Sequence, residues 1–179
     1  MLNSSEIFAS KIVALLGRGA VRDLYDINNM IQFNLFNSLE SDFLRKCIVM
    51  YKVVAGDMTI KNFNFEKIVN ITERDVRINL APMIRNSEKF DVEETKKRVI
   101  DFLKELLILN ENEKLFLEQF SKGIYEPQLL FDDKEIISRI ENHPMANLRI
   151  QNIIDNSNNL QYNFHMNKDD SLQVVSHSI

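Results

Sequence analysis

The sequence predicts an all-α fold: an irregular bundle of about seven or eight helices that begins with a short antiparallel helical hairpin. Only 4 glycines and 3 prolines occur among 179 residues, too few for the turns of a β-sandwich or barrel or for the Gly-rich loops of a nucleotide-binding α/β fold. Hydrophobic residues make up 45% and charged residues 27%, as in an ordinary globular domain. The apolar residues recur at spacings of three and four, which is typical of amphipathic helices.

The first two predicted helices are separated by the turn Gly17-Arg18-Gly19. Asn3 and Glu6 fit a capping box ahead of the first apolar stripe, and a second stripe runs from Val21 to Ile31. Because the turn is so short, the two helices must run nearly antiparallel.

A third helix is predicted to start near Ser38 and to stop at Gly56, since glycine commonly ends a helix. Residues 57–70 alternate only weakly and are expected to form a loop with short extended or helical pieces. Residues 72–86 are expected to form a helix that breaks or kinks at Pro82. The third helix is expected to bury one face, which consists of Phe43, Cys47, Met50, Tyr51 and Val54.

Two capping signatures mark the next helices. Asp91 with Glu94, and Asn110 with Glu113, each place a side-chain acceptor three residues before a carboxylate, as in a helix start. The basic run over residues 96–98 follows two glutamates and is expected to form a solvated helix face with i, i+4 ion pairs.

The remaining chain is predicted to end in two short helices and a tail. Gly123 closes the preceding helix, and helical patterns follow over residues 133–140 and 144–154. Residues 155–179 are too polar to offset the entropy lost on ordering them. We therefore predict a helical domain over residues 1–154 and a flexible tail over 155–179.

Charge and composition exclude several functional classes. The net charge of -4 disfavours a general nucleic-acid binder, and one cysteine, Cys47, cannot form an intramolecular disulfide. The histidines, at positions 143, 165 and 177, are too far apart for a zinc site, so no metal site is predicted. The longest apolar runs hold about five residues, far short of the roughly 20 that cross a bilayer. With no signal-peptide pattern at the start, the expected location is the cytoplasm.

The candidate site lies in the N-terminal hairpin. Lys11 interrupts the apolar stripe of the first helix, and Asp23 heads the stripe of the second, so each needs a partner. With the turn near Gly19, antiparallel pairing brings Lys11 level with about Asp26. The hairpin would then gather these charged side chains and Arg22 at one spot.

Two interpretations of this cluster are open from the pattern alone. The basic side chains could bind phosphate oxygens while a carboxylate handles a proton or a metal. Alternatively, a salt bridge could lock the two helices, with Arg22 and Asp26 as a surface pair at i and i+4. Ion pairs that only stabilise a fold are commoner than catalytic sites, and they too shift the pKa values of ionisable groups. The pattern alone therefore favours the salt bridge.

The same residues resemble two motifs of a known enzyme family. Lys11 in a helix, followed by the run from Arg22 to Asp26 (R-D-L-Y-D), is similar to the lysine helix and the R-D-x-x-D helix of the AbiEii/AbiGii toxin family of nucleotidyltransferases. The likeness spans roughly residues 3–154. It continues in segments that resemble the family's closing helices, namely Asn110 to Phe120, Gly123 to Phe131 and Arg139 to Ala146.

The resemblance implies a toxin of a toxin-antitoxin or phage-defence (abortive infection) system. Such an enzyme moves a nucleoside monophosphate from a nucleoside triphosphate to an acceptor such as tRNA. Lys11 matches the lysine expected to contact the nucleotide phosphates, and we group Arg18 and Arg22 with it as nucleotide-binding candidates. Asp23 and Asp26 match the motif aspartates and are the catalytic candidates. An antitoxin and tRNA are the implied partners, and magnesium and a nucleoside triphosphate are implied for the complete enzyme.

One part of the family's pattern does not occur in this sequence. In the family, a G-[GS] turn followed by D-x-D supplies the metal-binding carboxylates from an N-terminal α/β domain. These 179 residues contain no Gly-Gly or Gly-Ser pair and no Asp-x-Asp. We therefore expect the helical C-terminal part of such an enzyme, from a truncated or a split protein, with no cofactor held by this chain and little or no activity alone. A companion chain that carries the missing motifs would support a split enzyme, and its absence would leave a relic. The alternative hypothesis is a non-catalytic helical module that binds an antitoxin or RNA.

Overall fold

The computed structural model describes residues 4–35, 38–56, 63–85 and 89–157, and all regular secondary structure in these ranges is helical. The all-α prediction is confirmed. The chain falls into two units, Met1–Lys114 and Leu115–Ile179. The predicted cap residue Asn3 and residues 158–179 of the predicted tail lie outside the described residues. The division at residue 154 stays a prediction, and the last helix continues to residue 157.

The first unit begins with the predicted hairpin. Helix α1 (Ser4–Arg18) packs against helix α2 (Val21–Gln32), and Gly19 turns the chain between them with a φ of 63°, which glycine adopts without strain. Burying each large aliphatic side chain contributes roughly 1.5–3 kcal/mol. The buried apolar residues of the hairpin are Ala9, Ile12, Leu15, Val21, Leu24, Ile27 and Met30.

Helix α3 (Ser38–Ala55) packs on α1 and ends before Gly56, as predicted. Its buried face is only partly the predicted one. Cys47 and Met50 are buried, whereas the other three predicted residues are half-buried. The most enclosed side chains are Leu44, Ile48, Val49 and Val53. Apolar residues surround much of this helix, so periodicity alone does not select the face that contacts α1.

Two short helices follow and lead into a π-helical segment. Helix α4 (Glu66–Val69) precedes helix α5 (Glu73–Asp75), which continues as a π-helix over Val76–Leu80. Thr72 and Asp75 form a capping box at its start. The helical segment ends before Pro82, because proline has no backbone N–H to donate to the preceding turn.

Helix α6 (Val92–Leu106) packs against α2 and α4. The predicted cap is confirmed, since Asp91 accepts a hydrogen bond from the backbone N–H of Glu94 at 2.9 Å. The expectation of a solvated face over residues 96–98 is wrong for Lys96, which is 8% exposed. Its ammonium donates to the carbonyl oxygens of Val69 and Ile71 at 3.0 and 2.9 Å. Carbonyl groups at the end of α4, together with the Glu93 carboxylate at 2.6 Å, therefore satisfy this lysine.

The boundary between the units falls within helix α7 (Glu111–Ser121). In the second unit, a 3-10 turn (Pro127–Leu129) is followed by helices α8 (Lys134–Glu141) and α9 (144–157). Three aromatic rings, those of Phe116, Phe120 and Tyr125, pack together there. In the described part of the chain, no helix has the length and apolar content to span a membrane.

Candidate functional site

Lys11 and Asp26 form an ion pair across the hairpin. The Lys11 ammonium lies 2.5 Å from Asp26 Oδ2, and the two side chains are 39% and 40% exposed. The prediction that antiparallel packing places Lys11 opposite Asp26 is therefore confirmed. The pair is half-buried at the surface of the hairpin, so a solute can reach it.

Asp23 has a different partner, Arg18. Arg18 Nε and Nη2 donate to the two carboxylate oxygens of Asp23 at 2.7 and 2.8 Å. The hydrogen bonds and charge of Asp23 raise the pKa of Arg18 above its ordinary value. The Asp23 side chain is 7% exposed and the Arg18 side chain 66%. Asp23 thus pairs with the last residue of α1 and not with Lys11.

Arg22 turns away from the Lys11 pair. Its Nε donates to the backbone carbonyl of Asn79, in the π-helical segment, at 2.8 Å. The expectation that Arg22 joins the Lys11 cluster is not met, because this arginine reaches the π-helical segment that packs against α2. No feature of the sequence indicated Asn79 as its acceptor, since the two residues are 57 positions apart.

The two arginines instead share a cleft of about 490 Å³ at the start of α2. The N-cap residue of α2 is Ala20, which makes no side-chain cap, so the positive end of the helix dipole contributes to the cleft. Asp75 lines the opposite side, and hydrogen bonds from Thr72 lower its pKa. Arginines beside an uncapped helix start make a cleft suited to an anionic group such as a phosphate.

Magnesium does not fit the carboxylates that the structure brings together. Among the described residues, no group of three or more His, Cys, Asp or Glu side chains could hold a metal ion. Asp23 and Asp26 are each engaged by a basic side chain.

The hairpin therefore presents a helix lysine and an R-D-x-x-D helix in contact with each other. The sequence model of a family described as nucleotidyl transferase AbiEii toxin, type IV toxin-antitoxin system, matches residues 1–121. The chain belongs to the AbiEii family. The match includes the whole hairpin, whereas the likeness of residues 122–154 to the family's closing helices stays a prediction. No curated protein and no solved structure matches the chain.

Proposed function

We propose that this chain supplies the phosphate-binding part of an AbiEii nucleotidyltransferase toxin that acts in the cytoplasm. The reaction would transfer a nucleoside monophosphate from a nucleoside triphosphate to an acceptor such as tRNA. Family membership supports the proposal. The observation that carries it is the accessible Lys11–Asp26 pair, whose side chains are 39% and 40% exposed.

The exposure of this pair allows Lys11 to change partner. Exposed ion pairs contribute only about 0–1 kcal/mol to stability, so phosphate oxygens can compete with Asp26 for the ammonium. Charge-assisted hydrogen bonds to phosphate are stronger than neutral ones. Asp26, released from Lys11, is then the carboxylate that can contact a substrate.

The other motif residues take different roles. The Asp23 side chain is 7% exposed and holds Arg18 through two hydrogen bonds, so it positions a basic side chain and does not itself contact the substrate. Arg18 and Arg22 line the cleft at the start of α2. We assign that cleft to phosphate groups, which arginine binds in a bidentate manner.

The carboxylates that hold magnesium would come from outside these residues. Phosphoryl transfer depends on positioning and on charge stabilisation by metal ions, and the described residues provide no such metal cluster. A companion chain with the G-[GS] and D-x-D motifs would supply it. We therefore expect little transfer from this chain alone.

Calorimetry with a nucleoside triphosphate tests the proposal without a companion chain. Replacing Lys11 by alanine should weaken binding about tenfold or more, since a hydrogen bond to a charged group contributes about 1.5–3 kcal/mol. Lys114→Ala is the matched control, because Lys114 forms an exposed pair with Glu111. Equal affinities of the two variants would refute the role of Lys11.

A transfer assay with labelled triphosphate, magnesium and tRNA tests the site assignment. Robust transfer that survives both Lys11→Ala and Asp23→Ala would show that these residues are not the site.

A second candidate function is a non-catalytic module that binds an antitoxin. An apolar groove of about 370 Å³ between α1 and α3 favours it, with Val13, Ala14, Tyr51 and Val54 among the residues that line it. In this case the ion pairs of the hairpin serve stability alone. The module would bind no nucleotide and would lose thermal stability on removal of Lys11 or Asp26. Nucleotide binding that depends on Lys11 would count against it.

A further inference from the structure

Lys67, in α4, contacts the chain on both sides of Arg18. Its ammonium donates to the carbonyl oxygen of Gly17, the residue before Arg18. Its own backbone lies against Gly19, the residue after Arg18. A Cβ atom on Gly19 would lie 2.6 Å from the Lys67 carbonyl oxygen and 3.0 Å from its Cβ. One residue of α4 thus holds both ends of the turn that carries Arg18.

Helix α4 is a firm support for this contact. Ile68 and Ile71 are 0% and 3% exposed, so both anchor the segment in the core of the first unit. The buried ammonium of Lys96, from α6, donates to two carbonyl oxygens just beyond Ile68, at 3.0 and 2.9 Å. Contacts with α6 and with the core therefore tie the backbone next to Lys67 to the rest of the first unit.

The end of α1 needs such a support. The last carbonyl groups of a helix have no partner within the helix, and a lysine at this end also interacts favourably with the helix dipole. Arg18 is the last residue of α1, and its side chain is 66% exposed. The position of the guanidinium therefore depends on the backbone of the turn and on its two hydrogen bonds to Asp23.

We propose that Lys67 is a positioning residue for the Arg18–Asp23 pair. Its contacts with Gly17 and Gly19 hold the turn so that the guanidinium meets both carboxylate oxygens and lines the cleft. Lys67 acts through the turn and contacts no substrate. Its importance for nucleotide binding rests on the proposed function, but its effect on the ion pair does not.

Nitrogen-15 NMR of the full chain measures this effect directly. The Nε–H signal of Arg18, assigned with an Arg18→Lys variant, reports on the hydrogen bond to Asp23. In Lys67→Ala we expect proton exchange at this Nε–H to be roughly tenfold faster, as for the loss of one hydrogen bond of about 1.4 kcal/mol. Lys67→Arg should restore the wild-type rate.

Lys122→Ala is the control, since Lys122 pairs with Glu118 on an exposed face and should leave the Arg18 signal unchanged. A structural role limited to α4 would lower the unfolding temperature of Lys67→Ala without changing exchange at Arg18, and that result would overturn the proposal.

Nucleotide affinity separates this proposal from the proposed function. If both hold, Lys67→Ala binds a nucleoside triphosphate several-fold more weakly than wild type. If the wild-type chain binds no nucleotide, the proposed function fails, and the Arg18 exchange rate alone decides the role of Lys67. A Lys67→Ala variant with unchanged Arg18 exchange refutes the positioning role whatever the nucleotide result.

Discussion

Two interhelical ion pairs of the first unit differ in burial. Arg45 joins α3 to α7 through Glu113, whose side chain is 0% exposed and accepts from Arg45 Nε with both oxygens, at 2.9 and 3.0 Å. Lys11 and Asp26 join α1 to α2 with side chains that are 39% and 40% exposed. The first pair is enclosed by protein, and the second faces solvent.

This difference in burial implies different costs of breaking the two pairs. Burial tends to lower the pKa of Arg45, but the hydrogen bonds and charges of Glu113 and Asp42 outweigh it and raise that pKa. A buried pair is costly to break, because removing one partner leaves the other charge without compensation. A half-exposed pair costs little to open, and this low cost supports the phosphate-binding role that we propose for Lys11.

Replacing Glu113 should have the largest effect on stability. Glu113→Ala leaves the Arg45 guanidinium without its main partner and removes the hydrogen bond from the backbone N–H of Asn110. We expect a loss of about 3 kcal/mol in the free energy of unfolding, measured by urea denaturation. Lys114→Ala, at the next position, should change it by less than about 0.5 kcal/mol. A similar loss of stability in both variants would show that the buried Arg45–Glu113 pair matters no more than an exposed ion pair.

Two glycines of the hairpin turn should respond in opposite directions. Gly19→Ala places a Cβ 2.6 Å from a backbone oxygen at a φ of 63°, and should cost about 2 kcal/mol. Gly17 has no atom within 4 Å of a built Cβ and lies in α1, so Gly17→Ala should stabilise by about 0.5 kcal/mol. Thermal unfolding of both variants checks this. A Gly19→Ala protein as stable as wild type would contradict the close contact with α4.

A double-mutant cycle on the pair in the hairpin should give a smaller value. With Lys11→Ala, Asp26→Ala and the double variant, we expect a coupling energy of about 0.5 kcal/mol. The same cycle on Arg45 and Glu113 should give about 2 kcal/mol or more. A Lys11–Asp26 coupling as large as the buried one would favour a purely structural role for the hairpin.

Acid should produce the smallest effect, through Asp42 beside Arg45. A hydrogen bond from Lys46, together with nearby positive charge, lowers the pKa of Asp42 in the folded protein. A lowered folded pKa contributes stability that is complete above the unfolded value of about 3.9 and is lost as the pH falls through the folded pKa. Because Asp42 is 54% exposed, this contribution should stay below about 0.5 kcal/mol.

Unfolding of wild type and Asp42→Asn at pH 7 and pH 2.5 measures this contribution. The variant should be less stable than wild type at pH 7, and the difference should shrink at pH 2.5. A difference that grows at the lower pH would contradict the sign of the pKa shift.

Local features of the chain were predicted from the sequence. The turn at Gly19 and the caps at Asp91 and Asn110 depend on residues three or four positions apart, and the structure contains all of them. The pairing of Lys11 with Asp26 followed from the same short turn. A hairpin with so short a connection has one antiparallel register, so local spacing determines which residues face each other.

Long-range contacts were not predictable from the same patterns. The acceptor of Arg22 is 57 residues away, and the partner of Arg45 is 68 residues away. Lys96 was expected in solvent, but it is buried against carbonyl oxygens. Sequence periodicity does not indicate which acceptor a long basic side chain will bind, because the packing of other helices brings that acceptor within reach.

Sequence alone was therefore enough for the helical class, the hairpin and the family motifs, because each depends on composition or on neighbouring residues. Only the tertiary structure showed which charged residues of the motifs pair with each other. Lys11 pairs with Asp26 at the surface, and Arg18 pairs with the buried Asp23. The tertiary structure also brings Lys67 of α4 into contact with Gly17 and Gly19, on both sides of Arg18. Burial and long-range contacts form only when the helices pack. The energies of these ion pairs depend on how far packing excludes water, and a local sequence pattern contains no information on that.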